Sequence, residues 1–504
     1  MSHECETPNK SGCAFIGNMD TLLKEKIDGI LQMGEGVKAL LFDEETKGMM
    51  SNIIPHSRFL ENDYFLFDSI MNRKRERIQG ITCMAVIRPE SIKWLVEEVS
   101  DPYYERYIVL FTNQIDSLML EVLATSDIHC VVSEVHEIYI DFFRQDEFLY
   151  TLFRRGSESY EGRQCRRRAV DGLFAFVMNM KKIPTVLVQN GCRGLFEDAE
   201  QLTEKLSGYN YEHGGTVIIL DRGFDMYTPL VYEWRYQSLL HDHVKYEDGV
   251  AKVGKKAYLV AEDDFFNECK FKDINEVSEM IKGLVKRAEV KKRRLQSLIF
   301  DDLEENTRIS RQIEAHLALH AYILKASLRL KEPSEMEMDI LRGKAIDKNE
   351  IANYLLRTDV SSVERSKLLA IYALKNGKDL QKEAKNYPDL VDGIECFLKK
   401  YPPSMQAFMP YSYRFDDDVD AKLGYQPAVK RLVRHWWADR LNDRYLSVVR
   451  STENPKDFIV VYVRNGVTYS EYRALYEFYK SKVSDHSKVY VIGDFMVSYK
   501  DMFI

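Results

Sequence analysis

Two apolar runs close to the end of the chain, 458–463 and 489–492, constrain the fold more than any other feature. Runs that are apolar at every position belong to strands buried on both faces of a parallel sheet, and such strands need hydrogen-bonded neighbours. A helix-period stretch over 469–480 separates them, as a crossover between parallel strands requires. The matching strand-like runs, 185–188 and 216–220, with a helix over 170–180 ahead of them, lie beyond a region from 252 to 449 that is almost all helical in pattern. The C-terminal segment is therefore expected to complete a sheet begun before the helical region.

A separate α/β unit comes first. Residues 37–43, 81–87, 106–112 and 129–134 read as buried strands, with helix-period stretches at 89–99 and 116–124 between them, the pattern of a small doubly wound parallel sheet. A polar, Gly- and Arg-rich interval at 156–168 separates it from the second unit. Inside the helical region, Val277, Ile281, Leu284 and Ala288 mark one amphipathic helix, and Ile309, Ile313, Leu317, Leu324 and Leu328 a second. A turn at 300–303 makes them a long antiparallel hairpin over about 275–332. A chain of 504 residues, 45% hydrophobic, exceeds what one core usually organises. The division expected is 1–143, then 144–245 plus 455–504, then a helical domain at 246–454.

Composition narrows the function. No run approaches the roughly eighteen apolar residues of a membrane span, and residues 1–15 are polar, so neither an anchor nor a signal peptide is expected, and the cytosol is. The 8 cysteines are scattered without a CxxC pair, which predicts reduced thiols instead of a disulfide framework or a zinc ribbon. A net charge of -8 provides no attraction for nucleic acid, so protein partners are expected.

Several motifs approach a chemistry without completing it. Gly249 and Gly254-Lys255 have P-loop spacing, but Lys256 stands where magnesium needs a hydroxyl, and the preceding residues are too polar for a strand. Gly34-Glu35-Gly36 precedes the first strand, so no helix N-terminus would face a pyrophosphate. His316 and His320 are spaced as in a zincin, but Leu317 replaces the catalytic Glu. Asp416, Asp417, Asp418 and Asp420 lack the glycine and distal Glu of a calcium loop. The basic stretch 286–294 reads as a solvated helix face, with an acidic protein surface or anionic lipid as the alternative. No catalytic residue, metal or cofactor is predicted.

The most specific segment is 220–242. The strand 216–220 ends at Asp221-Arg222-Gly223-Phe224-Asp225, where Gly223 is free to take positive φ; Thr228 and Pro229 then restart the chain as a helix cap and first turn. Arg222 between two aspartates is expected to fix the turn by charge-assisted hydrogen bonds. The order Leu-Asp-Arg-Gly-Phe-Asp-x-x-Thr-Pro-Leu-x-x-Glu-Trp-x-Tyr-Gln-x-x-x-His-Asp resembles the central signature of the SM (Sec/Munc) family of SNARE-binding vesicle-fusion regulators. Met226 and Tyr227 depart from the residues common there. Asn465-Gly466-Val467-Thr468-Tyr469-Ser470-Glu471 resembles the family's C-terminal Gly-Gly-x-Thr-x-x-Glu motif, with Asn465 in place of one glycine. Stretches 41–46, 132–139 and 233–237 look most like the vacuolar-protein-sorting branch of endosome and trans-Golgi; the exocytic plasma-membrane branch is the alternative, and a nucleotide-dependent α/β enzyme a more distant one.

The resemblance implies an arch-shaped SM fold of two Rossmann-like α/β domains and a large helical third domain. It implies a monomer that clasps a syntaxin-family SNARE or an assembled SNARE bundle without catalysis, its membrane association indirect through SNAREs. Matching positions make Asp43, Asp68, Arg73 and Lys74 candidates for the cavity wall. Ile115, Met119, Leu120, Val132 and Val135, with Glu137 at the rim, are candidates for a pocket that takes a syntaxin N-terminal peptide. Leu298, Phe300 and Leu303 are candidates for the hairpin tip. Asp221, Arg222, Gly223, Asp225, Pro229 and Trp234 are structural in this reading.

Overall fold

The computed structural model describes residues 18–154, 163–247, 249–260, 263–295, 303–344, 346–402, 425–441, 445–453, 456–482 and 488–504. Its first sheet has five parallel strands: β1 (Lys38–Phe42), β2 (Tyr64–Ser69), β3 (Ile78–Ile87), β4 (Tyr104–Phe111) and β5 (Val132–Glu137). They stand in the order β2-β1-β3-β4-β5, which leaves β5 on an edge. All of β1 is buried, as its unbroken apolar run requires. β5 begins at Val132, three residues later than its apolar run suggested, because Asp127 accepts the backbone N–H groups of Val131 and Val132 (2.9 Å each) and holds 127–131 in a turn.

The second sheet is assembled from distant parts of the chain. Its strands are β6 (Phe143–Asp146), β7 (Leu149–Thr151), β8 (Lys182–Gln189), β9 (Glu212–Asp221), β13 (Leu446–Arg450), β14 (Phe458–Arg464) and β15 (Lys488–Gly493), in the order β13-β8-β9-β14-β15-β7-β6. The C-terminal strands lie in the middle: Val461 pairs with Ile218 on one side and with Val491 on the other. Sheet completion by the chain end is thus observed. At the tight approach of β9 to β14, Gly215 adopts a positive φ, and a Cβ there would lie 2.5 Å from the Phe458 ring.

Three departures from the sequence pattern have local causes. The helix Arg163–Asn179 starts inside the interval read as a linker; its arginines are held by tertiary partners, Arg166 by Asp198 (2.8 Å) and Arg168 by Glu45 (2.5 Å). β13, inside the region read as helical, pairs antiparallel with β8. Near the start of that region, β10 (Lys245–Glu247), β11 (Val250–Val253) and β12 (Lys256–Leu259) form an antiparallel meander. Gly249 and Gly254, both at positive φ, make its turns, so the P-loop-like glycines are hairpin turn residues.

The helical region contains the hairpin Ile274–Leu295 and Leu303–Ser327, then a bundle around a core of its own that includes Leu368, Ile371, Ile394 and Phe397. Met502 and Phe503 are buried in that same core, so the chain end fastens the second sheet to the bundle.

Candidate functional site

The signature segment builds a junction. Arg222, 1% exposed, forms a two-pronged pair with the fully buried Glu471 (2.6 and 2.9 Å) and donates to the backbone carbonyls of Asp225 (2.7 and 3.1 Å) and Gly466 (3.1 Å). The expected fixing of the turn is present, but through Asp225's carbonyl; the carboxylate partner comes from the second motif. Asp225, not Thr228, caps the short helix Tyr227–Leu230: its Oδ1 accepts from the N–H groups of Tyr227 (3.1 Å) and Thr228 (3.0 Å). Gly223 lies in a 3₁₀ turn that Asp221 caps and does not use the left-handed conformation open to a glycine. Asn465 does adopt it, a conformation Asn tolerates, and its side chain donates to Asp221 (3.1 Å). Burial raises the Asp221 and Asp494 carboxyls above their ordinary range against bonds from the Gly223 and Asn465 N–H groups. Pro229 is buried, and Trp234 donates to Ser334 of the bundle (3.1 Å).

The four cavity candidates have different surroundings. Asp43 is buried and accepts three backbone N–H groups, from Glu45 (3.0 Å), Thr46 (2.8 Å) and Arg88 (2.8 Å). Asp68 accepts from the Asn72 amide (3.0 and 3.1 Å) and its neighbour's N–H. Both stand at the carboxyl ends of their strands. Arg73 is drawn instead toward the start of β4, where it pairs with the buried Glu98 and lies 4.5 Å from the Tyr103 ring centroid. Lys74 is exposed. Position along the chain could not show that these charges are already engaged.

Three of the pocket candidates share one core cluster. The helix Ser117–Ser126 packs beside β5, with Ile115 buried and Met119 and Val132 half-buried on the same core cluster. Leu120 and Val135 remain exposed, which leaves apolar surface at an unpaired sheet edge. Glu137 is less a rim charge than a support: it accepts the Ile115 N–H (2.9 Å) and pairs with Tyr139. Leu118, Val122 and Ile128 are also exposed on this flank and stand outside the sequence candidates, since periodicity cannot say which face stays uncovered.

At the hairpin, Leu298 and Phe300 fall outside the described residues, as do Asp416 to Asp420, and Leu303 opens the second hairpin helix. His316 and His320 do not converge on a metal. Both are buried, His316 between Tyr236 Oη (2.9 Å) and Asp263 Oδ2 (3.1 Å), His320 near the Ile274 carbonyl (3.3 Å). Burial tends to raise the Asp263 carboxyl, but the His316 bond and the Phe265 and Phe266 N–H groups outweigh it and hold it below its ordinary value. Among the described residues no cluster of three or more His, Cys, Asp or Glu is placed to hold a metal, and no helix is long and apolar enough to cross a membrane.

A parallel five-stranded domain, a second sheet closed by the chain's own end, and a helical region between them define the SM class of fold. The Sec1 family model matches residues 38–503, and the chain belongs to the Sec1 family. Among curated proteins it is 25% identical to vacuolar protein sorting-associated protein 45 of Dictyostelium discoideum, over 90% of this chain and 91% of that one. It is 24% identical to the Homo sapiens protein of the same name, with 91% of each covered. Among solved structures, the SM protein Vps45 in complex with the Qa SNARE Tlg2 superposes with TM-score 0.81 at 21% identity, with 97% of each chain covered. The Unc18–syntaxin 1 complex from Monosiga brevicollis gives 0.79 at 18% identity, covering 96% of this chain and 99% of that one.

Proposed function

We propose that this chain binds syntaxin-like SNAREs and promotes SNARE assembly for vesicle fusion in endosomal, Golgi and vacuolar transport. The observation that carries the reading is the Sec1-family match over 38–503 together with a fold shared, nearly end to end, with a protein solved in complex with a Qa SNARE. Its task is recognition: no covalent bond is made or broken, and it works from the cytoplasmic side as a monomer, held at Golgi and endosomal membranes through its SNARE. The vacuolar-sorting branch is favoured over the exocytic one by the curated relatives, seven of which carry the vacuolar name.

One exposed surface supports the reading, and the family resemblance implies a second. The exposed apolar flank of Ser117–Ser126 and β5 fits a short peptide with one or two apolar anchors. A cavity between the first domain (1–143) and the helical domain (246–454), with 144–245 plus 455–504 as the platform, would take a helical SNARE segment. Burying one apolar anchor is worth roughly 1.5 to 3 kcal/mol, and about 1.4 kcal/mol is tenfold in affinity. Val135→Asp or Leu120→Asp should therefore weaken binding of a syntaxin N-terminal peptide to the full chain by at least about tenfold, read by fluorescence anisotropy. Failure of the native chain to retain any syntaxin-family protein, full-length or lacking its N-terminal peptide, overturns the reading.

A further inference from the structure

The hairpin meets the body at a sharply defined place. None of the described side chains at 282–290 on its first helix, or at 307–314 on its second, is buried. Burial begins at Ala315 and His316 and continues through Leu319, His320 and Ile323. His316 thus occupies the turn where the second helix leaves the body. At about 1.5 Å per residue, the arm from His316 out to Leu303 is roughly 20 Å long, so a tilt of about 10° at the root carries its far end by about 3 Å.

What holds that root is a polar stripe. Residues 308, 312, 316 and 320 recur every four positions and so share one helix face. Arg308 pairs with Asp264 (3.1 Å), Gln312 donates to Asp263 Oδ1 (2.9 Å), and His316 engages Asp263 Oδ2 (3.1 Å). Asp263 and Asp264 open the helix Asp264–Cys269, whose N–H groups Asp263 caps. A carboxylate only accepts, so His316 Nε2 carries a proton toward Asp263, and in the neutral ring Nδ1 then accepts the Tyr236 hydroxyl at 2.9 Å. Tyr236 begins the helix Tyr236–His243 and belongs to the signature segment. The His316 ring lies in an apolar surround, its centroid 4.8 Å from that of Phe265. There a hydrogen bond is directional and costly to orphan, whereas apolar packing alone tolerates a range of tilts.

We propose that the Tyr236–His316–Asp263 bridge positions the hairpin, setting the angle at which it leaves the body and thereby presenting its surface to a partner that none of the three residues touches. The bridge gives Tyr236 of the signature segment a task at a distance, because it links the helix after the Arg222 junction to the lever. The partner-binding arm rests on the SNARE-binding reading above; the geometric arm does not.

The test uses the full chain with spin labels on click-reactive amino acids at Val290 and Val448, both exposed positions, so that native cysteines are left alone. Electron–electron dipolar spectroscopy should give one narrow distance distribution. Tyr236→Phe, which removes a single oxygen, and His316→Phe should broaden or shift it and reduce affinity for a syntaxin-like SNARE several-fold. His316→Gln, whose amide can donate to Asp263 and accept from Tyr236, should restore both. Should His316→Phe not fold, Tyr236→Phe decides. An unchanged distribution in a folded variant overturns the proposal, as does a broadened one with unaltered SNARE affinity. Absence of any SNARE binding by the native chain would defeat the functional reading instead, while the distances still judge the anchor.

Discussion

Arg222 and Glu471 are separated by most of the second half of the chain, yet they pair with each other in a dry junction, at 1% and 0% exposure. Taking one away strands the other. Arg222→Ala should cost roughly 3 to 5 kcal/mol, read as a lower urea midpoint for the full chain. Arg222→Met combined with Glu471→Leu should be more stable than that single variant, because no uncompensated charge is left; a double variant as unstable as the single one would count against the pair as the source of the loss. In the sequence, Arg222 invited pairing with its neighbouring aspartates. The structure gives it Glu471 because those carboxylates are occupied: Asp225 caps a helix and receives the Ala428 N–H (2.8 Å), and Asp221 caps the 3₁₀ turn. The same reasoning applies at Asp43, whose chemistry was legible but whose oxygens are consumed by its own chain.

Among elements, the buried parallel strands were the most legible, since continuous apolar runs have few other uses. β14 and the helix Tyr469–Lys480 match their apolar patterns almost residue for residue. Short or edge elements were not. β6, β7 and the three strands of the β10–β12 meander have too few residues for a pattern. Glycines test this level well. Gly215→Ala should cost roughly 2 to 5 kcal/mol, from left-handed strain and from a Cβ driven into the buried Phe458 ring. Gly254→Ala, also at positive φ but facing open space, should cost only about 1 kcal/mol. Equal losses of thermal stability in the two would refute the close-packing argument.

For the molecule as a whole, the second sheet cannot exist without the chain's end, since β14 and β15 fill its centre and the buried Met502 and Phe503 reach into the helical core. A chain ending at residue 453 should lose near-UV circular dichroism and cooperative melting throughout, not in one domain alone. A truncated form that still melts as one sharp transition would contradict this interdependence. By itself, the sequence determined the buried parallel strands, the long helices, the presence of a signature and the family it belongs to, because hydrophobic period and turn chemistry are local properties of the chain. Only the tertiary structure decided which charges pair, which apolar side chains remain uncovered on the β5 flank, and that two histidines with metal-like spacing are buried with separate partners, His316 between Tyr236 and Asp263 and His320 at the Ile274 carbonyl. Those outcomes depend on which surfaces meet across hundreds of residues, and no local pattern records that.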